Sequence, residues 1–260
     1  MSNPRIVQEI PATKPDRVKE NDNNIVLSYL TLRNLIGICG MIMPILLYFF
    51  TTRKEGEPRY EQSISEYYYT SNGDIIVVIL SVLGVFLFTY NGYNWREKAL
   101  TTIAAICGLG IAFSPTGKEV VRSSSIHFAN SEVPMVFGWF ERHFLFAVLF
   151  FAALAIMALK YFPKTDKQTL RTEDGKMTQK AKRNLVYKIC GWTIVGCIVV
   201  LALYFIIKPD VGDFPVVFTF EAIAVEAFGI SWITKGESLW PDAQPFFVKA
   251  FHRARASLEA

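Results

Sequence analysis

Charged side chains are absent from long parts of this chain. Asp, Glu, Lys and Arg are missing from residues 34–52, 75–95, 99–117, 143–159 and 189–207, and residues 214–234 carry only Glu221 and Glu226. A helix needs about 20 mainly apolar residues to cross the roughly 30 Å hydrocarbon core of a bilayer. The sequence therefore predicts an all-α, polytopic membrane protein built as a six-transmembrane-helix bundle. Six buried helices of a soluble core are disfavoured, because most of them would need a polar face.

Histidine and cysteine are scarce, which limits the metal chemistry open to this chain. Of its three His, His252 falls on the cytoplasmic side of the predicted spans and His127 and His143 on the external side, so one chain does not assemble a three-His zinc site. The four Cys lie inside predicted spans without metal-ligand or disulfide spacing. Nucleophile elbows, phosphate-binding glycine loops and metalloprotease helices are also missing. We therefore predict no catalytic motif, no metal and no cofactor.

Lys and Arg are distributed unequally between the two sides of the predicted spans. Of these 27 residues, 20 fall on the side of the N-terminus and 7 on the other side. The positive-inside rule therefore predicts that the N-terminus and the C-terminus are both cytoplasmic. The same asymmetry explains the formal net charge of +4, and no nucleic-acid partner is expected. Residues 1–24 lack the apolar core of a removable signal peptide.

Three regions follow from this pattern. Residues 1–31 are predicted to form a cytoplasmic N-terminal segment, residues 32–236 the six-helix transmembrane domain, and residues 237–260 a cytoplasmic amphipathic tail. In the tail, aromatic and basic side chains recur from Phe246 to Arg253. This pattern is typical of a short helix that lies on an anionic leaflet.

Three ionisable side chains fall within the predicted spans, where burying a charge is costly and therefore indicates function. His143 opens the fourth span on the external side. In the sixth span, Glu221 lies about 9 Å and Glu226 about 16 Å from the external end. The two glutamates are about 140° apart around the helix, so only one of them can face a narrow seam.

The segment before the second span supplies further candidates on the external side. Ser63 and Glu66 have the spacing of a helix capping box. Asp74 stands at the start of the span itself. The candidate ligand-binding residues are therefore Ser65, Glu66, Asp74, His143, Glu221 and Glu226.

We expect His143, Glu66 and Glu221 to approach one another and to form the main polar pocket of the bundle. All three lie at a similar depth, in the external third. A lone carboxylate or imidazolium facing lipid is costly, so each side chain should turn inward, where a partner offsets its desolvation.

Three functions are compatible with such a pocket. The first is non-catalytic binding or organisation of lipid, with membrane lipids as the partners. The second is a proton or small-cation transporter or channel that uses Glu221, Glu226 and His143. The third is a membrane lipid-modifying enzyme in which Glu66, Asp74 and His143 act as acid and base groups.

Several segments resemble a family of uncharacterised bacterial six-span membrane proteins. They are residues 63–70 (SISEYYYT), 84–92 (GVFLFTYNG), 108–116 (GLGIAFSPT) and 227–236 (AFGISWITKG), together with His143-Phe144, 149–151 (LFF) and Phe220-Glu221. The resemblance covers most of the chain. It implies a multi-pass protein of the cell membrane, specifically the bacterial inner membrane.

More distantly, the chain is similar to the Frag/DRAM/Sfk group of eukaryotic six-span proteins. That group carries an external Ile-Ser-Asp before span 2, a His that opens span 4 and a Glu in span 6. Here the corresponding places are filled by Ile64-Ser65-Glu66, His143 and Glu221, with Glu in place of Asp. The group is associated with lipid-anchor remodelling, autophagy and lipid organisation in the plasma membrane, so the resemblance implies a lipid-facing role.

Overall fold

The computed structural model describes residues 24–51, 60–92, 94–114, 135–136, 140–163, 177–236 and 239. The described residues form six α-helices, which are α1 Asn24–Phe50, α2 Gly73–Thr89, α3 Trp95–Phe113, α4 Arg142–Ile156, α5 Gln179–Ile207 and α6 Val216–Lys235. A 3-10 helix, Ser65–Tyr69, precedes α2, and α4 continues into a π-helical turn, Met157–Tyr161. Two short strands, β1 Met135–Val136 and β2 Phe140–Glu141, pair antiparallel just before α4. Apart from this hairpin, the prediction of an all-α fold is confirmed for the described residues.

Four helical segments are long and apolar enough to cross a membrane, judged by length and composition. They are Leu30–Phe50, Arg142–Tyr161, Gln179–Ile207 and Val216–Lys235. Helix α2 is apolar but has only 17 residues, and the first turn of α3 carries Arg96, Glu97 and Lys98. A membrane protein is therefore indicated, and four of the six predicted spans are both long and apolar enough to cross a membrane.

Two of the helices, α3 and α5, begin directly after a residue whose side chain caps the first turn. The Asn94 side-chain oxygen accepts a hydrogen bond from the Glu97 amide at 3.0 Å and so caps α3. The Thr178 hydroxyl oxygen caps α5 in the same way, with the Ala181 amide as donor at 3.2 Å. These caps satisfy amides that the first helical turn leaves without intrahelical partners.

The six helices form a closed ring. Each packs mainly against its neighbours in the chain, and α6 also packs against α1. Successive helices run in opposite directions, so that Asn34 in the first half of α1 hydrogen-bonds to Gly236 just past the end of α6. We call the end where α2, α4 and α6 begin the His143 end, and the opposite end the Lys235 end.

A close approach of two glycines joins α1 to α6. A Cβ atom on Gly37 would lie 2.7 Å from the Gly229 carbonyl oxygen, and one on Gly229 would lie 2.7 Å from the Gly37 carbonyl oxygen. Small residues let the backbones of membrane helices come into contact. This glycine seam closes the ring between the first helix and the last.

At the Lys235 end, charged groups are buried among aromatic rings. Glu97 is 1% exposed and accepts a hydrogen bond from the Tyr90 hydroxyl at 2.9 Å. The Arg33 guanidinium lies over the Tyr90 ring, 5.5 Å from its centroid, and donates to the Lys235 carbonyl. The Tyr90 ring in turn packs edge-on against Trp232. This cluster links α1, α3, α6 and the residue that follows α2.

Parts of the predicted regions lie outside the described residues. They include residues 1–23 of the N-terminal segment, residues 52–59, 115–134 and 137–139 of the predicted external loops, and the predicted tail apart from Leu239. The amphipathic helix expected from Phe246 to Arg253 is among these. The predicted boundary between residues 31 and 32 falls inside α1, because this helix already begins at Asn24.

Candidate functional site

A cavity of about 50 Å³ opens in the middle of the ring, towards the His143 end. It is lined by the 3-10 segment and by every helix except α5. Its polar wall includes Ser65, His143 and Glu221, with Tyr68 also in the lining, and its apolar wall includes Leu83, Phe150 and Phe228. Polar groups therefore meet at one end of a cavity that is apolar further into the bundle.

His143 is fixed from both sides of its ring. The side chain sits in the first turn of α4 and is 5% exposed. Nδ1 lies 2.6 Å from the carbonyl oxygen of Ser114, and Nε2 lies 2.7 Å from Oγ of Ser65. Arg142 donates to the Ser114 hydroxyl at 3.1 Å, which holds the end of α3 beside the start of α4. The imidazole therefore connects α3, α4 and the 3-10 helix.

Glu221 holds the 3-10 segment against α6. Its carboxylate accepts a hydrogen bond from the Ile64 amide at 2.7 Å. Two neighbouring contacts support this position, since the Phe218 amide donates to the Gln62 carbonyl at 2.8 Å and the Tyr67 ring packs against Phe218. The backbone immediately before Ser65 is thus tied to the second turn of α6.

Glu66 does not line the cavity, although its neighbour Ser65 does. Its amide donates to the Ser63 hydroxyl at 3.1 Å, which is the Ser half of the predicted capping box. The Glu66 carboxylate accepts from the amide of Gln62 at 3.2 Å, whereas a complete box would use the amide of Ser63. Glu66 thus hydrogen-bonds within its own segment, and its neighbour Ser65 contacts His143. The approach of Glu66 to His143 and Glu221 stays a prediction.

Asp74 and Glu226 also lie away from the cavity lining. Asp74 is half-buried in the first turn of α2. Glu226 is half-buried beside Ile223 and Ile230, two exposed side chains three and four residues away on α6. Only one of the two span glutamates faces the cavity, in agreement with their angular separation on the helix.

Two partners at the site could not be identified from residue types. They are the backbone carbonyl of Ser114 and the backbone amide of Ile64. Every residue has these groups, so the sequence carries no signal for their use. The Ser65–His143 contact spans 78 positions of the chain, and it depends on how the 3-10 helix is held by α2 and α6.

Among the described residues, no group of three His, Cys, Asp or Glu side chains is arranged to hold a metal ion. Comparisons of the chain with protein-family models, with curated proteins and with solved structures find no match.

Proposed function

We propose that this chain is a six-span cell-membrane protein with both termini in the cytoplasm, which binds or organises lipid through the cavity at its His143 end. The bacterial inner membrane is the location that the resemblance implies. The observation that carries the lipid-binding proposal is the order of polar and apolar groups along the cavity.

Outward-facing apolar stripes support a membrane environment for the whole ring. On α1, exposed apolar side chains recur at helical spacing, at Leu35, Ile38, Ile42, Ile45 and Phe49. Helices α2 and α3, which are shorter or begin with charges, expose Val78 and Val85, and Ile103 and Ile106, in the same way. Exposed apolar surface on this scale marks contact with a membrane or a partner. We therefore include α2 and α3 among the spans.

The polar and apolar ends of the cavity are oriented like the head group and acyl chains of a lipid in the outer leaflet. Ser65, His143 and Glu221 lie at the end that the charge asymmetry assigns to the external side, and Leu83 and Phe228 lie deeper in the bundle. A bound lipid would thus keep its head group towards the outside and the adjoining carbons towards the bilayer centre. Because the cavity is only about 50 Å³, the rest of the acyl chains would lie outside it, in the surrounding bilayer. An apolar wall combined with a few convergent polar groups is typical of sites that bind small molecules.

The polar wall favours a head group that donates hydrogen bonds. The described residues that line the cavity include no Lys and no Arg. A phosphate alone would find no cation there, and cations are the usual partners of phosphate. A hydroxyl or ammonium group would instead meet the Glu221 carboxylate.

Native mass spectrometry of gently extracted protein tests the proposal. We expect a co-purified lipid on the unaltered protein, and its loss in Ala147→Phe, because Ala147 lines the cavity and a phenyl group there would occupy it. Ala202→Phe is the matched control, since Ala202 is exposed on α5, outside the cavity. Equal lipid retention by both variants, or no lipid on the unaltered protein, would contradict the proposal.

A further inference from the structure

The contacts of His143 define which of its ring nitrogens carries the proton. A carbonyl oxygen only accepts hydrogen bonds, so the 2.6 Å contact with the Ser114 carbonyl requires a proton on Nδ1. In the neutral ring, Nε2 then carries a lone pair. The Ser65 hydroxyl, 2.7 Å away, therefore donates to Nε2. A serine hydroxyl hydrogen-bonded to an imidazole lone pair is the arrangement that activates serine as a nucleophile.

We propose that Ser65 and His143 form a nucleophile and general-base pair that cleaves the acyl ester of a lipid bound in the cavity. The proposal rests on the lipid-binding function above and adds a reaction to the same site. Both side chains line the cavity, so an ester carbonyl at its polar end would meet the Ser65 oxygen. The Ser114 carbonyl takes the part of the group that orients the base, as an acid does in the Ser-His-Asp arrangement.

The backbone around Ser65 is held in place on both sides. The amide of Ile64 donates to Glu221, and the amide of Glu66 donates to the Ser63 hydroxyl. The Ser65 amide makes no hydrogen bond to another described residue. This amide is available as a donor to the oxyanion of a tetrahedral intermediate, as a nucleophile's own amide can be. Glu221 acts in this scheme as a positioning residue.

The reaction balances without a redox partner. The Ser65 oxygen attacks the ester carbonyl carbon while its proton moves to Nε2 of His143. Collapse of the tetrahedral intermediate breaks the ester C–O bond, and the departing alkoxide takes the proton from Nε2. Water then attacks the acyl-Ser65 ester and passes its proton to Nε2, which returns it to Ser65 as the fatty acid leaves. One ester and one water give one acid and one alcohol.

An alkyl fluorophosphonate tests the pair, because it forms a covalent adduct with serine that a base has activated. We expect one adduct per chain on the unaltered protein, mapped to Ser65 by peptide mass spectrometry. Ser65→Ala should abolish the adduct, and His143→Gln should slow its formation on the order of 100-fold or more, the usual contribution of a general base. Ser81→Ala is the matched control, since Ser81 lies on α2 outside the cavity lining, and it should label at the unaltered rate.

Two variants of Glu221, one conservative and one not, test whether this residue positions Ser65 or is merely structural. Glu221→Gln keeps an oxygen that accepts from the Ile64 amide and should label within about tenfold of the unaltered rate, whereas Glu221→Ala should label far more slowly. Thermal unfolding of each variant identifies any loss that is due to misfolding. Equal labelling rates in folded Gln and Ala variants would remove Glu221 from the scheme.

The outcomes separate this reaction from lipid binding. Lipid retained in native mass spectra without any Ser65 adduct would overturn the reaction and leave the binding function standing. The absence of any lipid on the unaltered protein would overturn both the binding function and the reaction. An adduct at another serine, or undiminished labelling of Ser65 in folded His143→Gln, would also overturn the pair, because its chemistry requires both side chains.

Discussion

At the level of single residues, buried polar groups contribute to stability through hydrogen bonds within the protein. If such a bond is lost, no water molecule is at hand to replace the missing partner. The Tyr90 hydroxyl and the Glu97 carboxylate illustrate this, since their residues are 0% and 1% exposed. A buried acceptor that loses its donor keeps the cost of desolvation without the compensating bond. Substitutions that remove one hydroxyl therefore measure the value of such a contact.

Tyr90→Phe should lower the free energy of unfolding by about 1–3 kcal/mol, because it deletes the donor to Glu97 and keeps the aromatic packing. Tyr48→Phe is the control, since the Tyr48 hydroxyl makes no hydrogen bond to another described residue. It should change stability by less than about 0.5 kcal/mol. Thermal unfolding in one detergent measures both variants, and equal losses would show that the buried contact adds nothing.

At the level of helices, the glycine seam places the backbones of α1 and α6 in direct contact. Neither Gly37 nor Gly229 has room for a Cβ atom opposite the carbonyl of the other. Overpacking a close interface forces the helices apart or the backbone to shift. The seam is therefore sensitive to a single added methyl group.

Gly229→Ala should destabilise the bundle by about 1–3 kcal/mol, the usual cost of an overpacked contact. The same change at Gly196 should be neutral or stabilising by up to about 1 kcal/mol, because a Cβ there would meet nothing within 4 Å and Ala favours the helix. The two variants make the same chemical change at different positions. Because helix propensity alone would raise the unfolding temperature of both, a fall that is equal in the two variants would contradict a special role for the seam.

The helices could be predicted from the sequence to a greater extent than the site. Stretches of 17 to 21 residues without Lys, Arg or Asp, five of them also without Glu, mark helices because a membrane excludes unpaired charge. Each of the six described α-helices overlaps one of these stretches, although α1 and α5 begin well before theirs. The order of helices around the ring depends on contacts such as Gly37 with Gly229, which glycine positions alone do not reveal. At the site, His143 and Glu221 were recognisable as costly residues in apolar stretches. That Ser65 rather than Glu66 contacts His143 was not recognisable from the sequence, because it depends on the orientation of the 3-10 helix.

At the level of the whole molecule, the proposed orientation follows from the distribution of Lys and Arg. Single cysteines test it on a background in which Cys39, Cys107, Cys190 and Cys197 are replaced. Three of these four are buried and Cys39 is half-buried, so small replacements such as Ala or Ser are suitable.

With intact cells, Ser124→Cys in the predicted external loop should react with a membrane-impermeant maleimide, and Gln179→Cys should react only after lysis. Gln179 is exposed at the start of α5, and it is preferred to Thr178, whose hydroxyl caps that helix. The charge asymmetry predicts this pattern, because loops rich in Lys and Arg stay in the cytoplasm. The reverse pattern would refute the orientation, and reaction of both positions in intact cells would refute the number of spans between them.

The seam between α1 and α6 also has a consequence for biosynthesis. Ribosomes synthesise the chain from its N-terminus, so α1 is inserted into the bilayer first. Gly37 can contact Gly229 only after α6 has also been synthesised and inserted. Until α6 has been made, the amide of Ile64 lacks the Glu221 carboxylate that accepts its hydrogen bond, and the segment that carries Ser65 has its contacts with α2 and His143 but none with α6. The cavity therefore comes into being only after synthesis of the last span, and a nascent or truncated chain lacks the assembled site. Partly synthesised chains are therefore not expected to bind the ligand of the mature protein.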